Sequence, residues 1–207
     1  MSIELISKYF DLQKWQKIAL TDFVKLLLEW NKQINLISRK DTNYIWERHI
    51  LHSLSLAKIN NFQNSKIIDV GSGGGLPGIP LAIFFPMANF TLIDSIRKKI
   101  NVVENIIHKL GLKNIETINI NSKELNNKYD FVIARAVSDF RKFYKLTKHL
   151  VRKGQNHTTI PNGILYLKGG EFYEEIKPFE DKIKIFNIYD YFKTPFFETK
   201  KVIYLPF

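Results

Sequence analysis

The 207-residue chain contains no cysteine. Disulfides, thiolate metal sites and thiol nucleophiles are excluded, and a cytoplasmic setting is the expectation. Arginine is scarce, six residues against 25 lysines. No apolar run reaches the ~18 residues of a membrane span. The opening Met-Ser-Ile-Glu-Leu-Ile-Ser-Lys carries no signal-peptide pattern. Internal repeats are absent too. What remains is a globular profile, 45% apolar and 25% charged, long enough for one α/β domain with an appendage. The formal net charge is +11. A basic surface favours polyanions through counterion release. Abundant Lys, Asn and Ile equally fit an AT-rich coding bias, so the charge alone leaves both readings open.

The chain is organised around Lys66-Ile-Ile-Asp69-Val-Gly71-Ser-Gly73-Gly-Gly75-Leu-Pro77-Gly78. The β-branched run predicts a buried parallel strand. It ends in an acid and a glycine-rich turn, where a ligand can approach the backbone. Pro77 suits the first turn of a helix over 77–85, which Pro86 ends. Gly73 to Gly78 matches G-x-G-x-x-G, the dinucleotide fingerprint. Asp69 argues against that reading, because a carboxylate at the strand end repels a pyrophosphate. It suits a cation. S-adenosylmethionine presents a sulfonium and an amino group there and no phosphate. A second strand, Phe90-Thr-Leu-Ile-Asp94, ends in another acid 25 residues later, placed to accept both ribose hydroxyls of an adenosine.

Residues before about 57 read as helical. Leu20, Phe23, Val24, Leu27, Leu28 and Ile34 form an amphipathic stripe. Ser38 and Asp41 resemble a capping box opening a helix over 41–57 that buries Trp46, Ile50, Leu54 and Ala57. His49 and His52 lack a third nitrogen ligand in evident reach, so no metal site is expected. From 66 strands and helices alternate, which implies a parallel sheet. A helix over 96–110 carries Ile96, Ile100, Val103 and Ile107 on one face, and strands follow at 115–120, 129–137 and 164–170. Asn121 to Leu125, at the end of the third strand, should border the adenine. Helix 138–151 shows a basic face: Arg141, Lys142, Lys145 and Lys148. Residues 154–163 form an insertion-like loop. The tail predicts strands at 183–191 and 199–206, an antiparallel hairpin at the sheet edge.

Several motifs coincide: Asn35-Leu-Ile-Ser38-Arg39, Arg48-His49-Ile-Leu51, Asp69 through Ala82, Thr91-Leu-Ile-Asp94-Ser95, Ala134-Arg135-Ala136 and Leu167-Lys168-Gly169. With them the chain resembles the ribosomal RNA small-subunit methyltransferase G family, also called glucose-inhibited division protein B, from about 35 to 170. The resemblance implies an α/β class I S-adenosylmethionine-dependent methyltransferase fold. That fold is Rossmann-like, with a mostly parallel seven-stranded sheet, an antiparallel edge hairpin and an N-terminal helical extension. The expected division is 1–60 for the extension and 61–207 for the methyltransferase domain. The implied activity is methyl transfer from S-adenosylmethionine to N7 of one guanine in 16S ribosomal RNA. Naked RNA or a small-subunit assembly intermediate is the implied partner, without membrane or DNA, and the enzyme is expected to be a monomer. Carried over by position, the family's cofactor contacts fall on Gly71, Leu76, Ser122, Lys123 and Arg135. Asp69, Gly73 and Asp94 join them from the residue reading. Lys123 stands where the family usually has an acid, with Glu124 beside it.

Guanine N7 carries a lone pair and no proton, so its attack on a methyl needs no general base and positioning supplies the catalysis. Arg135 is the expected positioning residue, and Arg48 and His49 are expected to shape the pocket. Cytosine C5 chemistry would need the missing cysteine. Exocyclic-amine chemistry often uses an Asn/Asp-Pro-Pro-aromatic loop where Ala134-Arg135-Ala136-Val137 stands. A small-molecule methyltransferase, an NAD-dependent oxidoreductase and a non-catalytic RNA-binding module are the rivals.

Overall fold

The computed structural model describes residues 2–135, 137–155 and 158–207. Ala136 of the fourth-strand motif and residues 156–157 of the 154–163 loop, His157 included, lie outside the described residues. Seven strands form one sheet: β1 (Lys66–Val70), β2 (Asn89–Asp94), β3 (Ile115–Asn119), β4 (Phe131–Arg135), β5 (Gly163–Gly169), β6 (Lys184–Asn187) and β7 (Lys200–Pro206). Their order is β3-β2-β1-β4-β5-β7-β6. β1 to β5 pair in parallel, and β7 runs antiparallel to both β5 and β6. Strand order reverses between β1 and β4, and ligands of open α/β sheets bind outside the carboxyl ends at such a point.

Side chains alternate across the strands. Ile67, Ile133, Leu165 and Val202 enter one buried cluster, shared with the N-terminal helices, while Ile68, Val132, Tyr166 and Ile203 enter the other. The same alternation puts Asp69, Arg135 and Lys200 on the N-terminal face.

That face is covered by α1 (Ile3–Ser7) and α2 (Lys14–Asn31), whose Leu20, Phe23, Val24 and Leu27 are buried as the stripe predicts, while Leu28 and, beyond the helix, Ile34 are only partly buried. The next segment departs from the expected helix over 41–57. It runs as 3-10 helix Arg39–Tyr44, π-helix Trp46–Leu51, α3 (His52–Leu54) and 3-10 helix Ser55–Lys58. The capping box does not form; Ser38 makes no side-chain cap, and Asp41 instead pairs with Arg48 at 2.6 Å. Trp46, Ile50 and Leu54 are buried, whereas Ala57 is partly exposed. Wide π turns recur at functional sites.

Helix α4 (Gly78–Phe84) starts with Pro77 as its N-cap. Helix α5 (Arg97–Leu110) stops at Gly111, whose φ of 65° is left-handed. Ile96 is 48% exposed rather than buried, because it is the N-cap and precedes the helical stripe. Helix α6 (Phe140–Thr147) carries the basic face, exposed as expected. After α7 (Tyr173–Ile176), the expected strand 183–191 ends at Asn187, and Tyr189–Phe192 forms α8. Turning there buries Phe192 against Tyr9, Phe10 and Phe197.

Candidate active site

The glycine loop is held by backbone bonds from both sides. Gly71 and Ser72 donate to the Ile93 carbonyl at 2.8 and 3.1 Å. Gly73 donates to Asp94 Oδ2 at 3.1 Å, and Gly78 to Asp69 Oδ2 at 2.9 Å. Gly71 has φ 74°, and a Cβ there would sit 2.9 Å from Val137 Cγ2. Glycine is therefore required twice over, by conformation and by space.

In front of the loop lies a cleft of about 390 Å³, lined by Gly71, Asp94, Asn121, Ser122, Arg135 and Val137 among others. A depression of about 520 Å³ opens near Lys66, Asn89, Thr91 and Lys113. It sits at the amino ends of β1 and β2, the wrong edge for a ligand site in this topology. A third cavity, about 560 Å³, is lined by Leu36, Ser38, His49, His52, Arg135 and Lys200. Arg135 is thus a wall of both carboxyl-end cavities.

The structure brings Gly71, Asp94, Ser122 and Arg135 together around the cleft and leaves Asp69, Gly73, Leu76 and Lys123 off its wall. Asp69, expected to meet the donor, is fully buried and lines neither cavity. Its parity in β1 turns it away from the cleft, toward the Gly78 amide and Arg135. Burial pushes its pKa up to about 7 against those two stabilising influences. Its Oδ1 has no partner. Burial also lowers Arg135 to about 10, still cationic at neutral pH, with the Asp69 charge opposing the shift. Arg135 Nη1 donates to the Arg48 carbonyl at 3.4 Å.

Asp94 takes one backbone N–H on each oxygen, from Gly73 and from Ile96 at 2.9 Å. A carboxylate oxygen has two lone pairs, so each keeps one for a ligand hydroxyl. Leu76 is buried in the core. Lys123 and Glu124 are both exposed and off the cleft, while buried Ser122 lines it beside Asn121, whose Oδ1 caps the Lys123 amide at 3.1 Å.

Two residues escaped the sequence reading. Lys200 reaches the third cavity through the antiparallel register Gly169↔Lys200. Asn31 Oδ1 accepts from the amides of Leu36 and Ile37 at 2.8 and 3.0 Å, fixing that cavity's rim. Its place at the end of a helix was the available signal. Among the described residues no group of three or more His, Asp or Glu could hold a metal ion.

An acid-backed glycine cradle with free carboxylate lone pairs fits an adenosine carrying no phosphate, which is the donor chemistry of S-adenosylmethionine. A sequence model of the rRNA small subunit methyltransferase G family matches residues 16–203. The chain belongs to this family. The protein called ribosomal RNA small subunit methyltransferase G of Christiangramia forsetii is 46% identical over 213 residues, spanning 100% of this chain and 98% of the relative. Its namesake from Phocaeicola vulgatus is 43% identical, over 98% of each chain. Among solved structures, a SAM-dependent methyltransferase from Aquifex aeolicus superposes with TM-score 0.58 at 16% identity, over 81% of this chain and 94% of that one. An MtNAS variant in complex with S-adenosylmethionine gives TM-score 0.58 at 13% identity, over 92% and 76%. These two share the fold. As a member of the methyltransferase G family the chain is an S-adenosylmethionine-dependent rRNA methyltransferase, and no described helix is long and apolar enough to cross a membrane.

Proposed function

We propose that the protein transfers a methyl group from S-adenosylmethionine to N7 of a guanine in 16S ribosomal RNA, in the cytoplasm and as a monomer. The observation that carries this reading is the shared wall: Arg135 separates the glycine-lined cleft from a second cavity at the same sheet edge. Bound in the cleft, S-adenosylmethionine supplies an electrophilic sulfonium methyl. Gly71 and the Asn121-Ser122 turn shape the adenosine half of the cleft, and Asp94 accepts from the ribose. Gly73 and Asp69 act behind the wall by fixing the loop. Arg135 holds the incoming base. Guanine N7 has no proton to lose, so the chain needs no general base, and holding two reactants in line supplies the rate. Residues 61–207 form the catalytic domain. The extension, 1–60, contributes Ser38, His49 and His52 to the second cavity. The exposed face of α6 beside the cleft, with Arg141, Lys142 and Lys145, and Lys148 in the turn after it, meets RNA phosphates.

The test is methyl transfer to small-subunit RNA from cells lacking the enzyme, with the modified base mapped. One N7-methylated guanine is expected. Modification of another atom or base overturns the assignment. Calorimetry with S-adenosylmethionine against NAD separates the rival classes, since a binding module takes neither.

A further inference from the structure

The second cavity has an unusual inner wall. His49 and His52 are each 7% exposed. Both ring nitrogens of His49, and Nε2 of His52, have no hydrogen-bond partner. Buried polar atoms are ordinarily paired; these three nitrogens are buried and unpaired in residues that line one cavity, which points to a ligand edge. The imidazoles are also held in place. The His52 ring stands edge-on to Phe196 and Phe197, at 5.8 and 5.9 Å, and meets the Arg48 backbone. Burial and the nearby Arg135 charge lower His49 to about 3 and push His52 well below its ordinary value. Both are therefore neutral, and a neutral imidazole offers one donor and one bare acceptor. The cations around them, Arg135 and Lys200, offer donors alone.

Guanine presents a matching order of groups. Beside N7 stands O6, an acceptor; next come N1–H and the N2 amine, both donors. With N7 turned toward the cleft, O6 falls beside Arg135 and the N1–H edge reaches deeper, to the imidazoles. Adenine reverses both groups, with a donor at C6 and an acceptor at N1. We infer that the second cavity reads the target base, that Arg135 donates to O6, and that His49 is the specificity-determining residue that accepts from the N1–H and N2 edge. This rests on the guanine N7 activity proposed above.

The experiment compares methyl transfer to RNA carrying guanine or 2-aminopurine at the target position. 2-Aminopurine keeps N7 and the amine and loses O6 and N1–H. In wild type kcat/KM should favour guanine by 100-fold or more. In His49→Ala kcat/KM for guanine should fall at least 30-fold, and the guanine to 2-aminopurine ratio should shrink at least tenfold. Intrinsic differences in N7 reactivity cancel in that comparison. His49→Gln, which retains an acceptor, should recover part of the ratio. Calorimetry with S-adenosylmethionine should stay within twofold of wild type. A lower rate with an unchanged ratio makes His49 merely structural and overturns the inference. Should His49→Ala fail to fold, nitrogen NMR of labelled histidines decides; target RNA must move the His49 resonance, and an unmoved one overturns the inference. A wild-type enzyme that leaves guanine unmodified defeats the activity itself, a result distinct from an active enzyme with an unchanged ratio.

Discussion

Asp69→Asn isolates the electrostatics of the buried acid. The carboxyl moves from 3.8 to about 7 on folding. At 1.36 kcal/mol per pKa unit, ionising it inside the protein costs roughly 4 kcal/mol. Its folded pKa is raised, so its contribution is fully present below pH 3.8, falls as pH rises, and is lost above about 7. His49, lowered from 6.5 to about 3, works the other way: its contribution is present above pH 6.5 and lost as pH falls. The wild-type profile mixes the two, and only the difference between variant and wild type reports Asp69. Asparagine keeps an acceptor for the Gly78 amide but buries an NH2 group without a partner, at about 1–3 kcal/mol. The variant should therefore be less stable than wild type at pH 4.5 and more stable at pH 8. The relative change should be roughly 3–4 kcal/mol, no steeper than about 1.4 kcal/mol per pH unit. Urea unfolding across that range measures it. A gap that stays constant with pH refutes the reasoning.

Substitutions at three further positions probe the site. Gly71→Ala forces a left-handed residue at about 1–2 kcal/mol and drives a methyl against Val137; calorimetry should show S-adenosylmethionine bound at least tenfold more weakly, and unchanged affinity would count against the cleft assignment. Arg135→Ala should lower methyl transfer about 100-fold, some 2.7 kcal/mol, and Arg135→Lys should recover little because the planar fork is lost; unchanged turnover removes Arg135 from the mechanism. Asn31→Ala strands the Leu36 and Ile37 amides and should cost about 2 kcal/mol in urea unfolding; unchanged stability would show that the side chain does not hold that rim.

What was legible in the sequence is local. The β-branched runs ending at Asp69 and Asp94, and the glycines between strand and helix, carry their conformation in a few adjacent residues. Parity within β1 also carries more than the acid's position: Ile67 and Asp69 share one face, Ile68 and Val70 the other. Since Asp69 is in register with Ile133, two residues before Arg135, the closeness of acid and guanidinium follows once strand order is known. Lys200 was invisible because it stands 65 residues beyond Arg135 and arrives by an antiparallel return whose register no local motif sets. The π segment was invisible for another reason. One extra residue per turn leaves the spacing of Trp46, Ile50 and Leu54 compatible with an ordinary helix.

Asp69 is expected to act on the donor through the charge of Arg135. Arg135 is cationic and faces the cleft where a sulfonium would bind. With Asp69 ionised its charge offsets that of Arg135; with Asp69 protonated that offset is gone, while Asp94 and Lys99 on the same wall are unchanged. Since the acid's pKa is about 7, the two forms exchange near neutrality. A ligand that prefers the ionised form binds more tightly as pH rises, by at most about tenfold per pH unit below the pKa and levelling above it. S-adenosylhomocysteine carries the same amino group, carboxylate and adenosine but no sulfonium. The ratio of the two dissociation constants should therefore shift toward S-adenosylmethionine by several-fold between pH 6 and 8, and Asp69→Asn should abolish the shift. Calorimetry with both ligands at matched ionic strength reads it directly. A ratio independent of pH in the wild-type protein would show that the buried pair does not set the charge of the cleft.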